Sequence, residues 1–370
     1  MLERYGHGGD LRTAEENFGR PADQFVDFSS NMNPLGPPPL VHRVLLSYAQ
    51  QIGKYPDPAV RGLRAKLAKL HGIDEQCILI GNGAAELIDL TVRAVNPIIT
   101  SLAFPCFSEY GDAVHKISSG IAPIMLNTEN GFELTEEAIQ SMTTEMEEPF
   151  YMLGSPNNPT GRLVQPAIIK KLLAGGATVV VDEAFMDFVP EEADYSLVKE
   201  AAGNDRLYVI RSMTKFYAIP GIRLGYVVST PERIAELRLL QVPWSVNSLA
   251  QLIGEGVLED AEYAAETLKW LNEERPWLTS QLEGLGFSVT PSETNYVLVR
   301  LPSLPQLTAA ALQQEMGSRG VLIRDASHFV GLDDRYCRFA IKLRSDNEKL
   351  LEALAQCLDD FKEDSRDTHE

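Results

Sequence analysis

Lys215 lies in the stretch SMTKFYAIPGIR, with Ser212 three residues before it and Arg223 eight residues after it. A lysine held in a partly dry pocket beside other cations loses some proton affinity and becomes a nucleophile toward an aldehyde. Ser212 and Arg223 could hold a phosphate from two sides, the arginine through a charge-assisted planar fork. This set of groups suits a Schiff base between Lys215 and pyridoxal 5'-phosphate. A surface loop between two buried strands is the alternative that the spacing alone leaves open.

Other residues have the chemistry that this cofactor needs. Asp182 follows the run VVV and would face the ring nitrogen, where a buried carboxylate keeps the pyridinium protonated and makes the ring an electron sink. Phe107 would stack on the ring, and Asn158 would hydrogen-bond its phenolic oxygen. Gly83 lies in a turn before a helix that opens at Ala84, whose free amides would bind an anion. Taken one at a time, these residues also have structural explanations. Asp182 could cap a strand end, Phe107 could pack in the core, and Asn158 could belong to a turn. Their joint order along the chain favours the cofactor site.

A series of apolar runs must position these groups. The runs alternate with helical patterns such as VQPAIIKKLLAGG, and they are CILIG, PIITSLAF, IAPIMLN, FYMLGS, ATVVVDEAF, LYVIR and LGYVV. Near-continuous apolar strands of this kind are typical of a mostly parallel sheet that is covered by helices on both faces. Ligands bind at the carboxyl ends of the strands in such sheets. The candidate residues follow these strand ends, so the sequence predicts one site there.

The chain is expected to divide into a large α/β domain over residues 41–245 and a smaller α+β domain over residues 246–370. Residues 1–40 are expected to form an irregular arm that belongs to the smaller domain and crosses the cleft, because DFSSNMNPLGPPP cannot be a helix or a central strand. In the smaller domain VLIRD and YCRFAIK read as strands. They carry Arg324 and Arg338, whose guanidinium groups need anions in an apolar setting. Either internal carboxylates or a substrate with two anionic groups could supply these anions.

Local patterns also predict element boundaries. Val60, Leu63, Leu67 and Leu70 fall on one helical face, which predicts an amphipathic helix with these residues buried. The last helix is expected to begin at Asp346, with Ser345 as its cap.

Composition narrows the function classes. The chain has 33 lysines and arginines against 52 acidic residues, a net charge of −19, which makes nucleic acids and anionic membrane surfaces unlikely partners. A cofactor-binding module attached to a transcription regulator is disfavoured for the same reason. The four cysteines are isolated and lack metal-site spacing, so no metal is expected. With no signal-like or membrane-spanning run, the expected compartment is the cytoplasm.

YPDP, NNPTG, VVVDEAF and SMTKFYAIPGIRLGY, in this order, resemble the fold-type I aminotransferase superfamily and its histidinol-phosphate aminotransferase branch. Within that branch, YGHGGD, DFSSNMNPLGPP and VLIRDASHFVGLDDRYCRFAIK resemble the threonine-phosphate decarboxylases of cobalamin biosynthesis more closely. The resemblance implies decarboxylation of L-threonine O-3-phosphate to (R)-1-amino-2-propanol O-2-phosphate with pyridoxal 5'-phosphate. Amino transfer from histidinol phosphate to 2-oxoglutarate is the alternative. The resemblance also implies a homodimer.

The resemblance implies a role for each matching residue. Lys215 and Asp182 would be catalytic, and Tyr55 would reach the cofactor phosphate of a neighbouring subunit. The other expected cofactor contacts are Gly83, Ala84, Ala85, Phe107, Asn158, Ser212 and Arg223. The expected substrate contacts are His7, Gly8, Gly9, Asn31, Asn33, Asn158, Arg324 and Arg338. Many family members have a tyrosine where this chain has Phe185, which cannot give the phenolic oxygen a second donor.

The choice between the two reactions depends on substrate orientation. The bond that lies perpendicular to the cofactor ring is the one that cleaves. Arg338 is expected to bind the α-carboxylate, and Arg324 and His7 to bind the phosphate. We expect the N-terminal arm to close over the substrate and to rotate the carboxylate into the cleavable position.

Overall fold

The computed structural model describes residue 2 and residues 8–140 and 148–367. The helices are α1 (Leu11–Phe18), α2 (Pro39–Tyr48), α3 (Arg61–His71), α4 (Ala84–Val95), α5 (Ser108–Lys116), α6 (Glu136–Gln140), α7 (Pro166–Ala174), α8 (Glu192–Tyr195), α9 (Val198–Ala201), α10 (Pro231–Leu240), α11 (Ser248–Val257), α12 (Ala261–Gly284), α13 (Ala309–Ser318) and α14 (Arg344–Asp367). The strands are β1 (Val26–Asp27), β2 (Ile78–Gly81), β3 (Ile99–Phe104), β4 (Gly120–Met125), β5 (Phe150–Gly154), β6 (Thr178–Asp182), β7 (Leu207–Ser212), β8 (Gly225–Val228), β9 (Ser288–Val289), β10 (Tyr296–Arg300), β11 (Val321–Leu322), β12 (Arg324–Asp325) and β13 (Tyr336–Ala340).

The larger sheet has the strand order β2-β8-β7-β6-β5-β3-β4. Its pairs are parallel except at β8, which runs antiparallel to both of its neighbours. Strands β5 and β7 are buried along their whole length, as expected for a sheet that has helices on both faces. The predicted mostly parallel α/β sheet is therefore confirmed.

The smaller sheet is antiparallel, with the order β12-β13-β10-β9. A separate parallel pair joins β1 of the N-terminal segment to β11, with Val26 opposite Val321. The prediction that VLIRD forms one strand is wrong. The N-terminal segment binds one end of it, since Phe28 N donates to Leu322 O at 2.7 Å, and the other end pairs with β13. Two short strands therefore flank Ile323.

The N-terminal segment is more regular than predicted. Helix α1 begins after Asp10, whose carboxylate accepts from Thr13 N at 3.1 Å, and it ends at Gly19 in the left-handed conformation. Pro39 does not prevent a helix but starts α2, because a proline in the first turn removes only an amide that would lack a helical partner. None of the described helices combines the length and the apolar character needed to cross a membrane.

Two boundary predictions also need correction. Leu63 and Leu67 of α3 are buried as expected, but Leu70 is 59% exposed because it lies at the last turn, beyond the part of the helix that packs on the core. Helix α14 begins at Arg344 rather than at Asp346, and it buries Leu350, among others, along its inner face.

Candidate active site

A cavity of about 440 Å³ lies where the carboxyl ends of β5, β6 and β7 meet the smaller sheet. Most of the predicted site residues line this cavity. They are Gly8, Gly9, Asn31, Ala84, Ala85, Phe107, Asn158, Asp182, Ser212, Lys215, Arg223, Arg324 and Arg338. Residues that are far apart in sequence are thus brought together as the strand-end rule predicts.

Lys215 follows β7 and faces the cavity. Desolvation by the surrounding protein lowers the pKa of its amine to about 8, and the nearby Arg223 and Arg338 add to this effect, while Asp182 opposes it. At one unit below this pKa roughly a tenth of the amine is uncharged, far more than for an ordinary lysine. An uncharged amine is the form that can add to an aldehyde.

Gly83 and the first turn of α4 form an anion-binding end of the cavity. Gly83 has φ +84°, and a Cβ atom there would lie 2.5 Å from Arg223 Nη2. Only glycine therefore lets the guanidinium lie against the turn. The amides of Ala84 and Ala85 open a helix of 12 residues at this point, so they add hydrogen-bond donors and the positive end of the dipole.

Ser212 adds a hydroxyl to the same end of the cavity. Ser212 Oγ and Thr214 Oγ1 lie 2.9 Å apart and share a hydrogen bond, and both residues line the cavity. Hydroxyls, helix amides and a guanidinium are groups that bind a phosphate monoester.

Asp182 ends β6 and also lines the cavity. Its Oδ2 accepts from the Tyr110 hydroxyl at 2.8 Å, and its Oδ1 accepts from Ala184 N at 3.1 Å. Burial raises the pKa of this carboxyl to about 6, against the lowering effect of those two hydrogen bonds and of Lys215. The donor geometry suits a carboxylate that binds a protonated ring nitrogen.

Behind the site, an ion cluster fixes the ends of β6 and β7. Successive side chains on a strand point to opposite faces, so Glu183 and Arg211 lie away from the cavity when their neighbours Asp182 and Ser212 face it. Arg211 Nη1 contacts Glu183 Oε2 at 2.9 Å, and both side chains are buried. Arg211 also pairs with Asp187 at 3.1 Å and with Glu192 at 2.5 Å.

Arg324 and Arg338 face each other across β12 and β13, and each is only 6% exposed. Arg324 lies over the ring of Phe329 at 5.6 Å, and Arg338 lies over Tyr296 at 5.3 Å. Like charges directly opposite on neighbouring strands are unfavourable. Because both side chains line the cavity, an anionic ligand would relieve this repulsion.

Arg338 also joins three parts of the chain. Its Nη1 donates to Asn158 Oδ1 at 2.5 Å, and its Nη2 donates to the backbone carbonyl of Ser29 at 2.8 Å. The loop around Ser29 in turn contacts the arm, since Gly9 N donates to Ser29 Oγ at 2.9 Å. A Cβ on Gly8 would lie 2.3 Å from Ser29 O, so the arm packs closely here.

Several predicted site residues lie elsewhere. Asn33 does not line the cavity, because its amide donates to Phe216 O at 2.9 Å and to Thr267 Oγ1 at 2.8 Å. These bonds make Asn33 a structural link between parts of the chain, and its substrate role stays a prediction. Tyr55 is 83% exposed and lies against Trp244, at a centroid distance of 5.3 Å, outside this cavity. Gly83 supports Arg223 without lining the cavity, and His7 lies outside the described residues.

The cavity also has residues that were not singled out from the sequence as site residues, among them Tyr110, Thr214 and Phe329. The spacing of Phe107 and Tyr110, three residues apart at a helix start, could have placed both on one face. Phe185 also lines the cavity, and its ring packs edge-on against Tyr296 at 5.0 Å.

These residues fit pyridoxal 5'-phosphate. Gly83 leaves the space that the Arg223 guanidinium occupies, and the buried Asp182 carboxylate also lines the cavity. Lys215 faces the cavity with a lowered pKa, and Phe107 supplies an aromatic wall. The described part of the chain brings together no group of three or more histidine, cysteine, aspartate or glutamate side chains that could hold a metal ion.

Known proteins are similar to this chain in sequence and fold. The family described as aminotransferase class I and II matches residues 23–354. Threonine-phosphate decarboxylase of Salmonella typhimurium is 37% identical over 358 residues, which cover 95% of this chain and 96% of that protein. The crystal structure of histidinol-phosphate aminotransferase from Clostridium acetobutylicum has a TM-score of 0.82 at 30% identity, over 90% of this chain and 99% of that one. L-threonine-O-3-phosphate decarboxylase from Porphyromonas gingivalis has a TM-score of 0.79 at 29% identity, with the same coverage.

Proposed function

Since the chain belongs to the class I and II aminotransferase family, we propose that it decarboxylates L-threonine O-3-phosphate with pyridoxal 5'-phosphate as cofactor. The products are carbon dioxide and (R)-1-amino-2-propanol O-2-phosphate. The observation that carries the proposal is the facing pair Arg324 and Arg338, which provides two cations in one cavity for a substrate with two anionic groups. The similarity to threonine-phosphate decarboxylases over nearly the whole chain supports it.

The cofactor, when bound, supplies an electron sink for the electron pair that carbon dioxide leaves on the substrate α-carbon. Asp182 would hold the proton on the ring nitrogen, and the ion pair behind it keeps the end of β6 in place. Lys215 would bind the cofactor aldehyde through its uncharged amine and would later deliver a proton to the α-carbon. Phe107 would stack on the ring and exclude water from one face, and Asn158 would hold the tilt of the ring through its phenolic oxygen.

Orientation by the two arginines decides which substrate bond breaks. We assign Arg338 to the α-carboxylate and Arg324 to the phosphate, with His7 as a further phosphate contact. Arg338 is held by Asn158 and by the Ser29 carbonyl, so the carboxylate position depends on the loop that the arm contacts. A phosphate drawn toward the arm would turn the carboxylate out of the ring plane, as decarboxylation requires.

Incubation of the holoenzyme with L-threonine O-3-phosphate, without any keto acid, tests the proposal. We expect many turnovers of carbon dioxide release per active site. A single half-turnover to the pyridoxamine form would contradict it. A Lys215→Ala protein serves as the control, because borohydride should no longer attach the cofactor covalently at this position.

Histidinol-phosphate aminotransferase activity is the second candidate, because the Clostridium acetobutylicum enzyme of that name has a closely similar fold. In that reaction histidinol phosphate and 2-oxoglutarate would enter the cavity in turn. The two arginines would bind the phosphate of the first and a carboxylate of the second. Activity that depends on histidinol phosphate and 2-oxoglutarate together would establish this alternative.

We also propose a homodimer in the cytoplasm. Leu46 is 79% exposed, and Tyr55 and Trp244 form an exposed aromatic pair, which is typical of a surface that a partner covers. A second copy of the chain would bring Tyr55 to the phosphate end of its partner's cavity. A stable and active monomer in a solution mass measurement would contradict this assignment.

The four cysteines are buried free thiols, which agrees with a reducing compartment.

A further inference from the structure

The Tyr110 side chain connects helix α5 to the carboxylate of Asp182. Tyr110 is 1% exposed, lies one turn after Phe107, and packs edge-on against that ring at a centroid distance of 5.7 Å. Its hydroxyl donates to Asp182 Oδ2 at 2.8 Å. One helix start therefore supplies both the aromatic wall of the cavity and a donor to the carboxylate beneath it.

The β5 backbone makes room for this hydroxyl. Gly154 lies opposite Asp182 in the register of β5 and β6. A Cβ atom on Gly154 would lie 3.0 Å from the Tyr110 hydroxyl oxygen and 3.2 Å from the Asn157 Cα. An alanine at this position would crowd the hydroxyl, so the glycine permits the hydrogen bond to Asp182.

The ionisation of the Asp182 carboxyl depends on the groups around it and on the Tyr110 hydroxyl. Lys215, from the loop after β7, is a cation that acts on Asp182, while Tyr296 of β10 is neutral because burial raises its pKa. Cys106, which acts on Tyr110, is also neutral because burial raises the pKa of its thiol. Burial works against the charged form of a carboxyl group, and a donated hydrogen bond favours it. Asp182 has its donors from Tyr110 and from one backbone amide.

We propose that Tyr110 is a positioning residue for the cofactor: its hydroxyl keeps the Asp182 carboxylate ionised and oriented toward the ring nitrogen. This inference rests on the proposed cofactor chemistry, but not on which substrate the enzyme takes. Without the hydroxyl, Asp182 loses one of its donors and binds its own proton more tightly. A protonated Asp182 no longer stabilises a proton on the ring nitrogen.

The first test uses the cofactor-free protein. Titration of the Asp182 carboxyl by NMR with ¹³C-labelled aspartate, assigned with an Asp182→Asn protein, should show its pKa raised in Tyr110→Phe by about one unit or more. Tyr208→Phe is the matched control, since Tyr208 is also 1% exposed in the same hydrophobic cluster and lacks a contact with Asp182 among the hydrogen bonds of the described residues. We expect this control to leave the Asp182 pKa unchanged.

A second test moves the hydroxyl without removing it. Gly154→Ala should raise the Asp182 pKa in the same direction, and the double variant Gly154→Ala/Tyr110→Phe should show no further rise beyond Tyr110→Phe. In the holoenzyme, Tyr110→Phe should lower the pH above which the absorbance of the protonated ring is lost, whereas Tyr208→Phe should not.

An unchanged Asp182 pKa in folded Tyr110→Phe would overturn the inference, and so would equal shifts in Tyr110→Phe and Tyr208→Phe. Neither result depends on carbon dioxide release. If the Asp182 pKa shifts clearly in Tyr110→Phe but the enzyme releases no carbon dioxide, the role of Tyr110 is supported. Only the proposed reaction is then rejected.

Discussion

Replacing Lys215 by methionine should stabilise the cofactor-free protein. The pKa of the Lys215 amine falls from its ordinary 10.5 to about 8 in the folded chain. One pKa unit corresponds to about 1.4 kcal/mol, so an ammonium at this position costs the fold about 3 kcal/mol below pH 8. Because part of the side chain faces the cavity, where water screens the charge, we expect Lys215→Met to gain about 2 to 3 kcal/mol at pH 7.

The pH dependence follows from the sign of that shift. Between pH 8 and 10.5 the unfolded chain holds more protons on this residue than the folded chain does, so the stability of the Lys215 protein rises with pH across that window. The advantage of Lys215→Met should therefore be full below pH 8 and should shrink to about 1 kcal/mol near pH 10.

Denaturant unfolding of both cofactor-free proteins at pH 7, 9 and 10 measures this difference. Lys349→Met is the matched control, because Lys349 is exposed and pairs with Asp346 at 2.9 Å on the surface. We expect that change to stay within about 0.5 kcal/mol at each pH. A Lys215→Met protein that is no more stable, or whose gain is the same at pH 7 and pH 10, would refute the reasoning.

Further predictions concern the supports of the site. Arg211→Met should lower the free energy of unfolding by about 3–5 kcal/mol, because it leaves the Glu183 carboxylate buried without its cation. Chemical denaturation measures this loss, and a loss below about 1 kcal/mol would contradict the prediction. Gly83→Ala should weaken cofactor binding by about tenfold or more in a spectral titration. The alanine Cβ would displace Arg223, and the positive φ at this position is strained for alanine. Unchanged affinity would reject the role of this turn. Arg324→Ala should weaken the binding of phosphorylated substrates far more than that of their unphosphorylated analogues, and equal losses for both would show that Arg324 binds another group.

The large sheet and the groups at its strand ends could be predicted because their signals are local. The runs around Val180 and Val209 are apolar on both faces, so each run predicts a buried strand without knowledge of its neighbours. Once the strands are assigned, the side chains that follow them must meet at one edge of the sheet. Asp182 and Lys215 therefore line one cavity although the sequence does not bring them close.

What the sequence did not predict depends on partners that are distant in the chain. Arg324 and Arg338 could each be assigned an anion, but their facing positions follow from the register of β12 on β13. Asn33 looked like a cavity residue until its partners Phe216 and Thr267 were known. The direction of the Tyr110 hydroxyl likewise depends on a contact with Asp182, which lies 72 residues further along the chain.

The parallel pairing of β1 with β11 has a consequence for the order in which the chain can assemble. Val26 lies opposite Val321, so a segment made early must wait for a partner made roughly 300 residues later. At about 5–20 residues per second, that wait lasts roughly 15 to 60 seconds during synthesis. The larger sheet uses only residues between these two strands and can form in the meantime. The arm and the two arginines would thus reach the cavity last, after the cofactor end has been built.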